Sequence, residues 1–397
     1  MPHNTGFSQQ LAKEHRTNWP KNQRASFSNS NRKPSKKKLA LLLPAYNEEL
    51  LIQTTIKSAL AAGQKIEDIY VVDDFSTDKT RKMALSLLGK RQVLSVEHSG
   101  KAGAVHKAIQ HFNIVENYQW LHIADADSIF GVDYFKIYRK ELKGKDFAAA
   151  VGFVQSLRGN WICRYRAFSY TYGQHIIRRF QSWFGMISVM PGPITSYRTE
   201  IIPKLDFLTD SLREDFDITL QIHRHKLGKI KFIPGAVNYT QDPQTLKDFW
   251  SQTQRWYRGF FQGVMKYKIG TKAQRIDISV GYQLIETLVY LLQVWVLLPV
   301  LLILSHSLQY LWAIILSDMI ILGILGVYTS AVALRPSILV SLPTYYFLRW
   351  VELVIYVKTF IEVVIQKRFK TRVEKGWETT GRRYALTQKA LSDTTIG

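Results

Sequence analysis

With a single cysteine, Cys163, a chain of 397 residues can form no intramolecular disulfide and no thiolate metal cluster. Acidic side chains are also scarce, 31 against 53 Lys and Arg, which leaves a formal net charge of +22. Such a charge raises the question of a nucleic-acid partner. The excess, however, is concentrated at the two ends: residues 1–38 carry nine basic residues and one acidic, and residues 367–397 carry eight and three. That distribution flanks a membrane protein rather than forming one basic face, and no nucleic-acid partner is expected. The first 38 residues also lack an apolar segment of the kind that forms a signal peptide. They read as a disordered basic arm, either a solvated tail or a contact for anionic lipid headgroups. No internal repeat is evident.

Long hydrophobic runs, by contrast, fill the last third. Residues 278–305 and 308–334 are almost free of charge, and each exceeds the roughly 20 apolar residues that span a bilayer. A third run, residues 337–366, is interrupted by Arg349, Glu352, Lys358 and Glu362. Two spans are expected, with the third segment as a further candidate. Basic ends on both sides place both termini in the cytoplasm. That conflicts with three full crossings, unless the charged segment lies in the interface or re-enters, or the tail departs from the rule. The expected organisation is therefore an arm over residues 1–38, a folded domain over 39–272 ending in an interfacial helix, a membrane region over 273–366 and a basic cytoplasmic tail over 367–397.

Between arm and first span, apolar runs alternate with amphipathic helical stretches. KLALLLPAY, DIYVVDDFSTD and WLHIADAD read as buried strands, and the intervening segments read as helices, a βαβα rhythm that argues for an α/β fold with a mainly parallel sheet. In such sheets ligands bind beyond the carboxyl ends of the strands, where Asn47, Asp73, Asp74, Asp125 and Asp127 fall.

Three acidic constellations carry chemistry. Asp73 and Asp74 in VVDDFSTD suit a nucleobase and ribose, a metal, phosphate acceptance as in a receiver domain, or a helix cap. Asp125-Ala126-Asp127 can clamp a hard divalent cation that also bridges a diphosphate. Glu214, Asp215 and Asp217 in SLREDFDITL are close enough to repel, so that one can serve as a general base; an ordinary acidic first turn of a helix is the plainer alternative. A fourth constellation lies in SQTQRWYRG, where spacings of three and four put Gln252, Arg255 and Trp256 on one helix face. An amide, a forked cation and an aromatic plate suit a phosphate on one side and a sugar ring on the other.

Taken in order, PAYNEE, VVDDFSTD, GKAGAVHKA, ADAD, REDFDITL and QTQRW, followed by apolar spans, resemble the membrane-embedded family 2 glycosyltransferases, processive type: the synthases of cellulose, chitin, hyaluronan and poly-N-acetylglucosamine. The resemblance is dense over residues 39–259 and loose through the spans to KGWETTGRR. It implies the GT-A nucleotide-sugar-binding fold, a Rossmann-like mixed sheet, followed by C-terminal transmembrane helices. Ala45, Tyr46 and Glu48 would line the nucleoside pocket, with Asp74 on the base and Asp73 beside it. Lys101 would lie near the donor phosphates. Asp125 and Asp127 would hold Mg2+ or Mn2+, and Asp125 would also face the donor. Asp215 would be the catalytic base, Arg255 would meet the diphosphate, and Gln252 and Trp256 would meet the acceptor. Gly192, in VMPGPITSYR, falls in the acceptor region, where a glycine lets an acceptor approach the backbone; a tight turn between strands explains it equally. Trp377, Thr380 and Arg382 resemble a motif that gates the donor site.

The sequence departs from the family pattern at Arg213, where threonine is usual, at His106, where asparagine is common, and at TQDP, residues 240–243, in place of Thr-Glu-Ala-Pro. These leave the sugar and acceptor open. The implied function is inverting transfer from a nucleotide sugar, a UDP-hexose or UDP-N-acetylhexosamine, to extend a β-linked polysaccharide. The setting is the plasma (inner) membrane, with the catalytic domain cytoplasmic and membrane lipids, partner membrane subunits or further copies of the chain as partners. Transfer of one sugar to a membrane lipid acceptor, polyprenyl phosphate or ceramide-like, is the alternative. A non-catalytic subunit that binds nucleotide sugar is a third, which the intact acidic motifs oppose.

Overall fold

The computed structural model describes residues 38–144, 146–209, 211–305 and 308–368. Eight strands form one sheet: β1 Leu39–Ala45, β2 Ile69–Asp73, β3 Val93–Ser95, β4 Trp120–Ile123, β5 Ile129–Phe130, β6 Ala149–Ser156, β7 Thr195–Arg198 and β8 Ile230–Thr240. Their order is β3-β2-β1-β4-β7-β6-β8-β5. The helices of nine or more residues are α1 Ile52–Ala61, α2 Gly100–His111, α3 Tyr134–Leu142, α4 Trp161–Tyr172, α5 Glu214–Arg224, α6 Leu246–Lys266, α7 Arg275–Leu292, α8 Gln309–Val332 and α9 Leu342–Phe360.

The first half follows the βαβ expectation. β1 is buried along its whole length, as a strand covered on both faces must be, and β1 to β4 pair in parallel. In register, Ala45 stands opposite Asp73, and Asp73 opposite Ser95. The acidic ends therefore line up along one sheet edge. The second half departs from a mainly parallel sheet: β7 inserts antiparallel between β4 and β6, and β5 closes the far edge antiparallel to β8. Residues 189–198 are thus a short 3-10 turn, Gly192–Ile194, running into β7.

Two glycines bring α6 onto α5. A Cβ on Gly259 would meet Arg213 Cβ at 2.6 Å, and one on Gly263 would meet the Phe216 ring at 2.6 Å. No larger residue allows the two helices to approach so closely.

In the apolar third, α7 continues through a π turn, Gln293–Leu297, into the helix Leu298–Ser305, and α9 ends in a second π turn, Ile361–Ile365. Among the described residues one helix, α8, is long and apolar enough to cross a membrane, where two spans and a third candidate were expected. The charges of α9 and of the π turn after it have protein partners. Arg349 pairs with Asp318 of α8 at 3.0 Å, Glu352 accepts from Arg166 and Tyr165, and Glu362 pairs with Arg258 of α6 at 2.7 Å. α9 consequently packs along α6. Apart from Lys38, Lys367 and Arg368, the basic arm and tail, including Trp377, Thr380 and Arg382, lie outside the described residues.

His122 sits fully buried in β4, its ring 2.7 Å from Ser196 Oγ and 3.3 Å from the Tyr134 hydroxyl. Burial pushes its pKa down to about 3. Unfolding returns it to the ordinary value near 6.5, so the unfolded chain binds the extra proton between these values and stability falls as pH drops through that window. Each pH unit below about 6.5 costs up to about 1.4 kcal/mol from this residue. Thermal melts at stepped pH are expected to show a shallower acid slope in His122→Asn than in the unaltered chain.

Candidate active site

The sheet edge carries the expected donor-side residues. Asp74, fully buried, accepts the Ser99 amide N–H at 2.8 Å and lies 3.0 Å from His98 Nδ1, while its own N–H donates to the Ala45 carbonyl. It therefore ties the end of β1 to the loop that opens α2. Tyr46 packs its ring 4.9 Å from that of His98. Asp73 accepts from Ser76 N–H and the Ser95 hydroxyl, both at 3.3 Å, and the buried Glu48 donates its amide to Thr80 Oγ1. Asn47 holds a left-handed conformation, φ 53°, and accepts the Thr77 amide at 2.7 Å. The chain turns sharply off β1 here, and asparagine tolerates that turn.

Deeper in, Lys101 from the first turn of α2 contacts Asp125 at the end of β4 and lies 3.7 Å from Glu214 on α5. Burial opposes its charge, but Asp125, Glu214 and Asp215 together outweigh that cost and hold its pKa above the ordinary lysine value. Gly192 closes over it: a Cβ there would stand 2.9 Å from Lys101 Nζ. Asp125 is partly open, with a third of its side chain exposed, and faces the same cavity. Asp127, two residues on, does not line that cavity.

Among the described residues no cluster of three or more His, Cys, Asp or Glu is placed to hold a metal. Asp125 and Asp127 are both partly exposed just beyond β4, and two such hard carboxylates would leave an Mg2+ or Mn2+ open to diphosphate oxygens and water. Such a metal would be held by Asp125 and Asp127.

The acidic cluster divides by role. Asp215 lines the cavity, takes the Phe216 amide at 2.7 Å and lies 3.3 Å from Arg213 Nε. Glu214 also faces the cavity. Asp217 does not; wholly buried, it accepts from Lys266 at 2.7 Å, the Tyr267 hydroxyl at 2.8 Å and Gln221 at 2.9 Å. It fastens α5 to the end of α6 and is not a candidate base. Arg178, in the π turn Gly173–Arg178, faces the cavity with a pKa brought down to about 10 by burial.

The α6 face presents Gln252, Arg255 and Trp256 to the cavity, as the spacing predicts. What holds that face was not read from the sequence. Arg166 of α4, 3% exposed, lies 4.3 Å from the Phe249 ring centroid and 4.6 Å from that of Trp256. Its Nη2 donates to Gln252 Oε1 at 3.1 Å and Thr253 Oγ1 at 2.8 Å, and its Nη1 donates to Glu352 of α9 at 3.3 Å. By their aromatic content residues 161–184 read as core and membrane-facing helix; the cation within them was the available signal, because a buried arginine requires partners.

A cavity of about 430 Å3 thus unites Lys101, Asp125, Gly192, Asp215, Gln252, Arg255 and Trp256, while Ala45, Tyr46, Glu48, Asp73 and Asp74 stand outside its lining at the strand ends. Residues 120–331, from β4 through most of α8, match the family described as Glycosyl transferase family group 2. The chain belongs to this family. A poly-beta-1,6-N-acetyl-D-glucosamine synthase of Staphylococcus aureus (strain COL) is 24% identical over 269 residues, 66% of this chain and 63% of the relative. A synthase of the same name from Staphylococcus epidermidis is 24% identical over 227 residues, 56% of this chain and 54% of the relative. The chain therefore spans less than two thirds of the curated relatives it matches. Among solved structures, a mannosyltransferase from Pyrobaculum calidifontis in complex with GDP-Man and Mn2+ superposes with a TM-score of 0.55 at 15% identity, covering 88% of this chain and 94% of that one. At that identity the likeness shows the fold, and it supports the GT-A reading of this glycosyl transferase family member.

The Arg166 clamp makes a direct prediction. Arg166→Lys keeps the charge but loses the planar fork and the stacking. If Gln252 and Trp256 meet the acceptor, as the family resemblance implies, sugar transfer is expected to fall on the order of tenfold through the acceptor KM and kcat, with the nucleotide-sugar KM almost unchanged. Initial-rate kinetics with each substrate varied in turn check this, and an equal rise in both KM values would rule out a positioning role confined to the acceptor side.

Proposed function

We propose that this protein is an inverting glycosyltransferase that extends a β-linked polysaccharide at a membrane from a nucleotide-sugar donor, a UDP-hexose or UDP-N-acetylhexosamine. One observation carries the reading: a carboxylate, Asp215, shares a cavity with the two cations Lys101 and Arg255 and the aromatic plate Trp256. Sugar transfer requires an acceptor hydroxyl to lose its proton as it attacks, and a diphosphate to leave with its charge stabilised. Asp215 takes the proton. Lys101 and Arg255 face the departing diphosphate, and Trp256 stacks on the acceptor ring with Gln252 beside it. A single base and a single displacement invert the anomeric carbon. Asp73 and Asp74, with Ala45, Tyr46 and Glu48, receive the nucleoside at the sheet edge.

Mg2+ or Mn2+, held by Asp125 and Asp127, would add Lewis-acid charge to the leaving diphosphate. The structural neighbour was solved with GDP-Man and Mn2+, which supports a divalent metal beside a nucleotide-sugar donor. The curated relatives' name supports an N-acetylglucosamine polymer as product. The cavity's remaining lining favours a carbohydrate over a wholly apolar acceptor: Gln283 and Glu286, neither of them buried, present polar side chains suited to sugar hydroxyls, whereas Gln174 and Gln181 are engaged with Val154 and with Ser188 and Ser279. We read α8 as a membrane span, with the neighbouring helices seated beside it and the catalytic domain on the cytoplasmic side, at the plasma (inner) membrane.

Incubation of the detergent-solubilised chain with Mg2+ and radiolabelled UDP-sugars, with separation by size and by organic extraction, tests this directly. A ladder of water-soluble product from one donor is expected; a single extractable glycolipid would replace the polymer reading with lipid glycosylation. Asp215→Asn is expected to lower kcat by about a thousandfold or more while leaving donor binding in place. Asp217→Asn is expected to lower the melting temperature instead.

A further inference from the structure

The turn that joins α8 to α9 closes against the catalytic domain, and a second cavity of about 200 Å3 lies at that junction. It shares no lining residue with the reaction cavity. Its charged lining residues are Arg158, just after β6, Arg164 on α4 and Arg335 in the turn, with the Ser337 hydroxyl beside them. Two of the guanidiniums are fixed from different elements. Arg335, 9% exposed, donates to the Ser156 carbonyl, and Arg164 Nη1 donates to Ser341 Oγ at 3.2 Å. Arg158 is exposed at the mouth. Three arginines converging on a space of this size suit a tetrahedral phosphate, which takes forked N–H donors well.

A second observation says where that phosphate comes from. On the same turn Leu334, Leu339 and Val340 are exposed, Val340 to 78%. Apolar side chains that face outward beside a basic cavity, at the end of the one helix among the described residues that is apolar enough to span a bilayer, form the pattern of a membrane interface. We propose that this cavity binds the phosphate of an anionic phospholipid headgroup, with the acyl chains against Leu334, Leu339 and Val340. The site rests on the reading of α8 as a membrane span. It couples the seat of the catalytic domain to the lipid beneath it, since Ser156 and Arg164 belong to β6 and α4.

The whole chain, reconstituted in vesicles of equal phosphatidylcholine and phosphatidylglycerol and then released for native mass spectrometry, tests the proposal. Phosphatidylglycerol is expected in excess on the unaltered protein. The excess should fall about fivefold in Arg158→Gln and again in Arg164→Gln, and Arg158→Lys should keep most of it. Equal retention of the two lipids, or an unchanged excess in a double variant that melts like the unaltered chain, overturns the site. Binding of inorganic phosphate to the solubilised chain without any lipid preference overturns the lipid assignment. Carbonate extraction separates the two readings. A chain washed from vesicles in the aqueous fraction sinks the span and the site together, whereas an inserted chain with no lipid preference sinks the site alone.

Discussion

The arrangement depends on a buried cation. Asp125, Glu214 and Asp215 come from segments some ninety residues apart in sequence, and like charges do not converge unaided at the mouth of an apolar core. Lys101 brings them together, and the three carboxylates in turn keep the lysine charged despite its burial. β4, α2 and α5 meet at this point. Removing the ammonium would leave an uncompensated cluster, a far larger loss than that of one exposed ion pair.

Much of the fold was legible because the physics is local. A strand covered on both faces must be apolar along its length, and its carboxyl end must turn polar, so KLALLLPAY and WLHIADAD disclosed both the sheet and its carboxylate-bearing edge. The face of α6 was legible for the same reason, since spacings of three and four need no tertiary information. The antiparallel insertion of β7 was not: TSYR is too short to declare its direction, which is set by Thr195 to Arg198 pairing with Ile123 to Trp120. Nor could charge and spacing alone separate Asp215 from Asp217, although the family resemblance singled out Asp215. They are two residues apart in the first turns of one helix, and the packing of Lys266 and Tyr267 distinguishes them.

Arg166 and the α9 charges illustrate a second limit. Glu352 and Glu362 count against a span when hydropathy is summed along a window, yet each has a cationic partner on a distant segment, Arg166 and Arg258. Pairing of this kind is a property of the assembled helices, invisible to periodicity. One ion pair therefore belongs at once to the apolar region and to the platform that carries Trp256. The seat of α9 and the position of that ring are set by the same contact.

Gly192 carries a consequence for how such a protein can change over time. The ammonium tip of a lysine usually swings aside for an incoming methyl group, but Lys101 is held by carboxylates on two sides, so it cannot yield without releasing them. Positions 101 and 192 are therefore free to vary only jointly: a side chain at 192 is admissible only with a shorter residue at 101, and the shorter residue forfeits the charge. A side chain at 192 is blocked while Lys101 stands, and a change at 101 must come first and give up the charge, so the two sites, 91 positions apart, are tied to one another.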